Sequence, residues 1–282
     1  MRFPRVLVGL ALLLSACVPA TTTPTDTPTV SNTPAPGATL TSTNPPIATP
    51  VAANEDRSGC VITAPPDGLG IDPAYAKYCD ANGIPIIALE PVSDKAVRQA
   101  YYLTVNFFAP IPAHLAQMIE NGAMLAIYGE NQTVRDIPET YTFSLSNTPY
   151  AVGLGGHLSQ PVTVTHESDL NGRWRPCNRV TVHELGHALR DIVLLTNVPG
   201  FLSLSNGTFA DGLTKGLWEG AYASTNADEN WAEGVNAYFG VFRDSSGNNY
   251  ARNRDELAEY DPALFSLVDS IFKGFEWQPS CP

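Results

Sequence analysis

The pattern of residues predicts an α+β fold, in which a small mixed sheet with helices comes first and a mostly helical C-terminal lobe follows. Three observations carry that expectation. Short apolar runs bounded by Pro, Gly and Asn recur before residue 170, apolar residues at helical spacing dominate after it, and no internal repeat is present.

The chain opens on an export signal. Arg2 and Arg5 form a positive n-region, and the apolar run Val6 to Leu14 is too short to span a bilayer. It closes with Leu14-Ser15-Ala16-Cys17, which resembles the lipobox of bacterial lipoproteins, where the cysteine is acylated and becomes the mature N-terminus. Residues 1–16 are therefore expected to be a lipoprotein signal peptide, with lipid on Cys17 as the membrane attachment at the bacterial cell surface. Residues 17–58 are expected to be a Thr/Pro-rich disordered stalk. Beyond Cys17 they carry no aromatic residue and contain runs such as Thr21-Thr22-Thr23-Pro24 and Asn44-Pro45-Pro46, which stay extended and solvated. Such a stalk reaches on the order of 100 Å at about 3 Å per residue. Residues 59–282 are then one large domain or two closely packed lobes.

Within that domain, Asp80-Ala81-Asn82-Gly83 marks a turn, and Ile84 to Leu89 reads as a short strand whose Pro85 suits a sheet edge. Ser93 is an N-cap for a helix through Ala96, Ala100, Tyr101 and Val105. Pro110 and Pro112 break it, a shorter helix covers His114 to Ile119, and Asn121-Gly122 ends that one. Ala123 to Tyr128 is a buried strand. A polar, turn-rich stretch containing Pro138 and Asn147-Thr148-Pro149 follows, then the glycine-rich Ala151 to His157 and a strand over Val162 to His166. Val180, Val182, Leu185, Ala188, Leu189 and Ile192 form one broad apolar helix face. A loop is expected over Asn197 to Gly207, a helix around Phe209 to Trp218, a helix capped by Asn226 with Glu229 in capping-box position, and a terminal helix over Pro262 to Phe272.

Charge and cysteines narrow the class. The formal net charge is −12. Without Arg2 and Arg5, 14 basic side chains face 28 acidic ones, and such a surface repels phosphate backbones and argues against nucleic acid as a partner. With Cys17 assigned to lipid, Cys60, Cys79, Cys177 and Cys281 remain, an even number in an oxidising context. Three pairings are possible. The favoured one is Cys60–Cys79, closing a short loop, with Cys177–Cys281 tying the C-terminus near the helix described next.

His183-Glu184-Leu185-Gly186-His187 carries the chemistry. Two histidines four apart on a helix share a face, about 5–6 Å apart at Cβ, close enough for one metal ion. Glu184 beside them is a candidate general base toward water acidified by that ion, attacking a carbonyl. A catalytic zinc needs a third protein ligand and an open position. The metzincin arrangement would need a histidine at position 193, where this chain has Val193, and spacing alone leaves Glu229, Glu219 and Asp228 in play.

The run Tyr222-Ala223-Ser224-Thr225-Asn226-Ala227-Asp228-Glu229-Asn230-Trp231-Ala232-Glu233 is similar to the corresponding stretch of the lethal-factor-like zinc peptidases, a gluzincin group that includes secreted Pro-Pro endopeptidases. Val182 to Leu189 resembles their first zinc helix. The resemblance covers roughly residues 180–240 and implies a zincin-like catalytic domain with one zinc ion per chain. It implies that Glu229 is the third ligand beside His183 and His187. Tyr222 would donate to the oxyanion, and Glu233 would orient a histidine from behind. Zincins hold substrate as an added strand at a sheet edge, here Gly153–Gly156 or Val162–His166. His157 and His166 are not needed as ligands. The expectation is a surface-anchored zinc metalloendopeptidase acting on a peptide or protein. A zinc hydrolase of another amide, such as a cell-wall peptide, and an inactive binding lipoprotein are the alternatives.

Overall fold

A computed structural model describes residues 56–139, 151–243 and 248–282. The signal segment, Cys17, most of the stalk and Asn147-Thr148-Pro149 lie outside the described residues. The fold is α+β, as the residue pattern predicts, and its sheet has four strands in the order β1-β2-β3-β4.

The first hairpin joins β1 (Tyr75–Ala81) to β2 (Ile84–Leu89), antiparallel through Asn82 and Gly83. Both turn residues have positive φ, 55° and 95°, which is the backbone of a type I′ turn and the reason for Asn-Gly there. β2 is an inner strand, not the edge that Pro85 suggested. Pro85 faces Asp80 on β1, while the parallel pairing to β3 (Met124–Tyr128) begins only at Ile86, so the missing N–H disturbs no inner ladder. β4 (Val162–His166) pairs parallel to β3 on its other side.

The crossover from β2 to β3 contains α1 (Asp94–Phe108) and α2 (Pro112–Glu120). Ser93 caps α1, its Oγ accepting from Ala96 N, and Pro112 occupies the first turn of α2, where no N–H is needed. α1 packs against β1 and β2. After β4 a single turn, α3 (Glu167–Leu170), leads to α4 (Arg179–Leu189). α4 continues through a π-helical turn, Arg190–Leu194, into the short α5 (Leu195–Asn197). The elements of the C-terminal part are helices: α6 (Phe201–Thr214), α7 (Ala227–Tyr238), α8 (Arg254–Tyr260) and α9 (Pro262–Phe272).

Two helices of the C-terminal part differ from expectation, α6, which also ends at Thr214 short of Trp218, and α8. α6 begins eight residues before Phe209, because Gly200 turns the chain with φ 79° and the Ser, Asn and Gly residues that read as a loop lie inside the helix. Ser205, Thr208 and Gly212 form its buried face, so close packing overrides their low helix propensity. α8 has no counterpart in the sequence reading.

Phe107 of α1, Phe239 just after α7 and Phe272 of α9 meet with ring centroids 4.9 to 5.8 Å apart, joining the sheet side to the helical side in one core. The cysteines pair as favoured, Cys60 with Cys79 and Cys177 with Cys281. The second pair pins the C-terminal tail beside α4. Gln99 Nε2 reinforces it, donating to Asn178 Oδ1 at 3.0 Å and to Ser280 O at 2.8 Å. Among the described residues, no helix is long and apolar enough to cross a membrane.

Candidate metal centre

α4 starts in an unusual way. Its N-cap, Asn178, has φ 70° and makes no side-chain cap bond. The cap comes instead from Asp169 of α3, fully buried, whose carboxylate accepts from Val180 N at 3.2 Å, Thr181 N at 2.9 Å and Thr181 Oγ1 at 2.8 Å. Burial pushes the Asp169 carboxyl up, against these bonds, which favour its charged form. The start of the helix that carries the histidines is thus held from outside the helix.

One turn further on, His183 and His187 point the same way, as their spacing requires. Asn226 caps α7 by accepting from Asp228 N and Glu229 N, at 2.9 and 2.8 Å. Glu229 does not close a capping box with its side chain. It reaches across to α4, where Oε2 lies 3.0 Å from His183 Nε2 and 3.1 Å from His187 Nε2, with the two nitrogens 3.1 Å apart. The three form a group that can hold a metal ion, and no other such His, Cys, Asp or Glu group occurs among the described residues.

The donor set suits a divalent metal ion. Three lone-pair atoms form a nearly equilateral triangle, and tetrahedral zinc with bonds of about 2.0–2.2 Å needs donors only slightly further apart. The electrostatics agree. Burial works against charge on His183, but contacts with the carboxylates of Glu229 and Glu233, with Glu184 nearby, carry its pKa up to about 10. The carboxylates of Glu184, Glu229 and Glu233 around these imidazoles set up a negative field, which suits a cation. Burial alone would raise Glu229; the two histidines more than offset it and hold the carboxyl far below the usual range.

Glu233 is not a solvated surface charge. It is 0% exposed, with Oε1 3.4 Å from His183 Nδ1 and accepting from Arg179 Nη2 at 2.7 Å. The contact lies outside hydrogen-bond geometry, but a carboxylate beside Nδ1 favours the proton on that nitrogen and so a lone pair on Nε2 toward the centre. Tyr222, 53% exposed, donates from its hydroxyl to Glu229 Oε1 at 2.9 Å. Burial and the nearby Glu229 raise the phenol's pKa, so it stays protonated. Glu184 is buried, which pushes its carboxyl up; His183 and His187 act the other way, and Glu229 and Glu233 add to the rise.

The other candidates lie apart from the group. Asp228 pairs with Arg190, and the backbone oxygen of Glu219 accepts from Tyr250. His166 stacks on Trp174 at 4.4 Å and its Nδ1 accepts from Ser168 N. His157 Nδ1 contacts Ser159 Oγ at 3.0 Å.

Gly153 and Gly155, read from the sequence as part of a candidate substrate edge but not as neighbours of the metal ligands, complete the surroundings. A Cβ on Gly153 would fall 2.6 Å from Glu184 Oε1, and one on Gly155 would fall 2.3 Å from His187 Cβ. This segment runs against α4 at backbone distance, and Tyr128 Oη ties it down by donating to Val152 O at 2.9 Å. Between the glycines, Leu154 pairs antiparallel with Val164 through both its N–H and its C=O, at 3.0 and 2.8 Å, covering the outer edge of β4. The alternation Gly-x-Gly shortly before a metal-binding helix was the available signal.

Neither a protein-family model nor a curated protein matches the chain.

Proposed function

We propose that this chain is a surface-anchored zinc metalloendopeptidase whose folded part, residues 59–282, hydrolyses peptide bonds. The observation that carries the reading is the triangle of His183, His187 and Glu229, with the buried Glu184 carboxylate one residue along the same helix. Zinc held by those three, when bound, acidifies water and polarises a carbonyl.

The remaining chemistry belongs to the chain. Glu184, its carboxyl raised by burial, takes the proton of the attacking water and returns one to the leaving nitrogen. Tyr222 keeps its phenolic proton and donates it as a hydrogen bond to the carbonyl oxygen as negative charge develops there. Its hydroxyl rests on Glu229 Oε1, so it changes partner from a carboxylate to an oxyanion. Glu233 and Arg179 hold His183 in one tautomer and orientation.

The substrate edge is Gly153–Gly155 rather than β4. Because Leu154 turns its polar backbone groups toward Val164, its glycine neighbours turn theirs away from the sheet, and they form no hydrogen bond among the described residues. An extended peptide added there lies along Glu184 and His187. Two disulfides suit an exported protein, and the lipobox-like Leu14-Ser15-Ala16-Cys17 supplies the anchor.

The test is a peptide library read by mass spectrometry, with zinc-loaded protein and Glu184→Gln as control. Cuts made by the wild type and absent from the variant are expected. No cuts from zinc-loaded wild type would remove the general-endopeptidase reading and turn attention to a cell-wall amide or a binding role.

A further inference from the structure

α4 and α7 carry the three ligands, and their crossing is tied at three levels. Arg179 at the start of α4 meets Glu233 in the middle of α7. Gly186 O accepts from Trp231 Nε1 at 2.9 Å. Arg190, just past the end of α4, meets Asp228 in the first turn of α7. The pairing order shows that the helices run antiparallel.

We propose that Arg190 and Asp228 form a latch that fixes Glu229 and so sets the affinity of the centre for its ion, an inference that rests on the metal-centre reading above. Asp228 is the residue before Glu229. The Trp231 and Glu233 ties both lie C-terminal to the ligand, so Arg190 is the tie to the α4 rod on the N-terminal side. First turns of helices lack half their backbone bonds and are the places where helices loosen. A shift of about 1 Å in that turn takes Glu229 Oε2 out of contact with both imidazoles, whose distances are 3.0 and 3.1 Å.

The local chemistry points the same way. Asn226 already accepts from Asp228 N and Glu229 N, so the Asp228 carboxylate is not needed as a cap. The Arg190 side chain is only 5% exposed, and its buried charge needs partners. Nη1 meets Asp191 on its own helical turn and Nη2 meets Asp228. A planar fork can bridge two carboxylates in this way, whereas a lysine ammonium is a single point. The π turn Arg190–Leu194 begins at this arginine, where the backbone departs from the α-helical path. Arg190 and Asp228 are positioning residues, acting through Glu229.

The experiment measures zinc affinity by competition with a chelating dye for wild type, Asp228→Asn, Arg190→Lys and the double variant. Melting of each in excess EDTA is measured in parallel. A 10- to 100-fold loss of zinc affinity is expected for each single variant, the range for residues that orient ligands. The double variant should lose no more than the weaker-binding single one, because the pair acts as a unit. The EDTA melting point should move little for Asp228→Asn, since that side chain is 50% exposed and Asp191 remains as a partner for the buried Arg190 charge. A merely structural ion pair would lower the EDTA melting point and leave zinc affinity within twofold of wild type. That result, or losses that simply add in the double variant, overturns the latch. A wild type that takes up no zinc overturns the metal centre and the latch together, and is told apart by that control.

Discussion

Replacing Gly155 with alanine brings a Cβ to 2.3 Å from the Cβ of His187 and 3.4 Å from Ala188 N. Carbon atoms settle about 3.5–4.0 Å apart, so the segment and α4 have to separate by more than about 1 Å. Neither atom can rotate away, because both Cβ positions are set by backbone. Overpacking of this kind costs about 1–3 kcal/mol, and with no rotamer to relieve it the upper end, about 3 kcal/mol, is expected for Gly155→Ala. The same separation moves His187 and weakens zinc binding. Gly153→Ala is a contrasting case two residues away. Its Cβ would meet Glu184 Oε1 at 2.6 Å, Glu184 Cγ at 2.7 Å and Val180 Cγ1 at 2.8 Å, all of them side-chain atoms that can turn aside. Stability should fall by only about 1 kcal/mol. The displaced Glu184 should cost about 100-fold in kcat, the lower end of general-base effects, with zinc affinity unchanged. Urea unfolding, dye competition for zinc and turnover of a cleaved peptide separate the three quantities. A Gly155→Ala protein as stable as wild type, or a fully active Gly153→Ala protein, would refute the close-approach argument.

Asp169→Ala strips three donors at the start of α4 of their acceptor and should destabilise the fold by about 3 kcal/mol in urea unfolding. Tyr222→Phe keeps the ring and removes the donor; kcat should fall about 100-fold while zinc affinity changes by less than tenfold. Asp269 gives a pH signature. Burial opposes its charge, but hydrogen bonds from Tyr238 and Arg254 outweigh that and hold its carboxyl below the usual carboxylate range. A depressed folded pKa adds stability above the unfolded value, about 3.9, and that stability is lost as pH falls through the folded pKa. With Asp269 a third exposed, about 1 kcal/mol is expected after solvent screening. The stability gap between wild type and Asp269→Asn should therefore be constant near neutral pH and close below about pH 4.

What could be read from the residues was local. His183 and His187 at helical spacing, Ser93 and Asn226 as caps, and Pro262 opening the last helix all act within one turn, and each sits where its chemistry requires. Non-local packing stayed hidden. β1 was missed because an outer strand with exposed Ala76 and Asp80 alternates weakly, although Asn82-Gly83 behind it is a strong hairpin signal. Pro85 misled because its register, not its presence, decides whether a ladder is broken. α6 was shortened because its Ser, Asn and Gly residues were weighed by propensity, whereas the helix is held by a buried face of Phe201, Ser205, Thr208 and Gly212. At the site, spacing left Glu229 in play beside Glu219 and Asp228, and a family resemblance singled it out. The cap from Asp169, the reach of Arg190 to Asp228 and the fit of Gly155 against His187 join residues that no spacing rule connects.

A zinc-edge anomalous map from crystals of the zinc-loaded protein tests the central claim most directly. One peak is expected about 2.0–2.2 Å from His183 Nε2, His187 Nε2 and Glu229 Oε2, with Glu184 and Tyr222 not bound to it. A protein that crystallises with zinc present and shows no density among those three atoms, or binds its zinc elsewhere, would contradict the account.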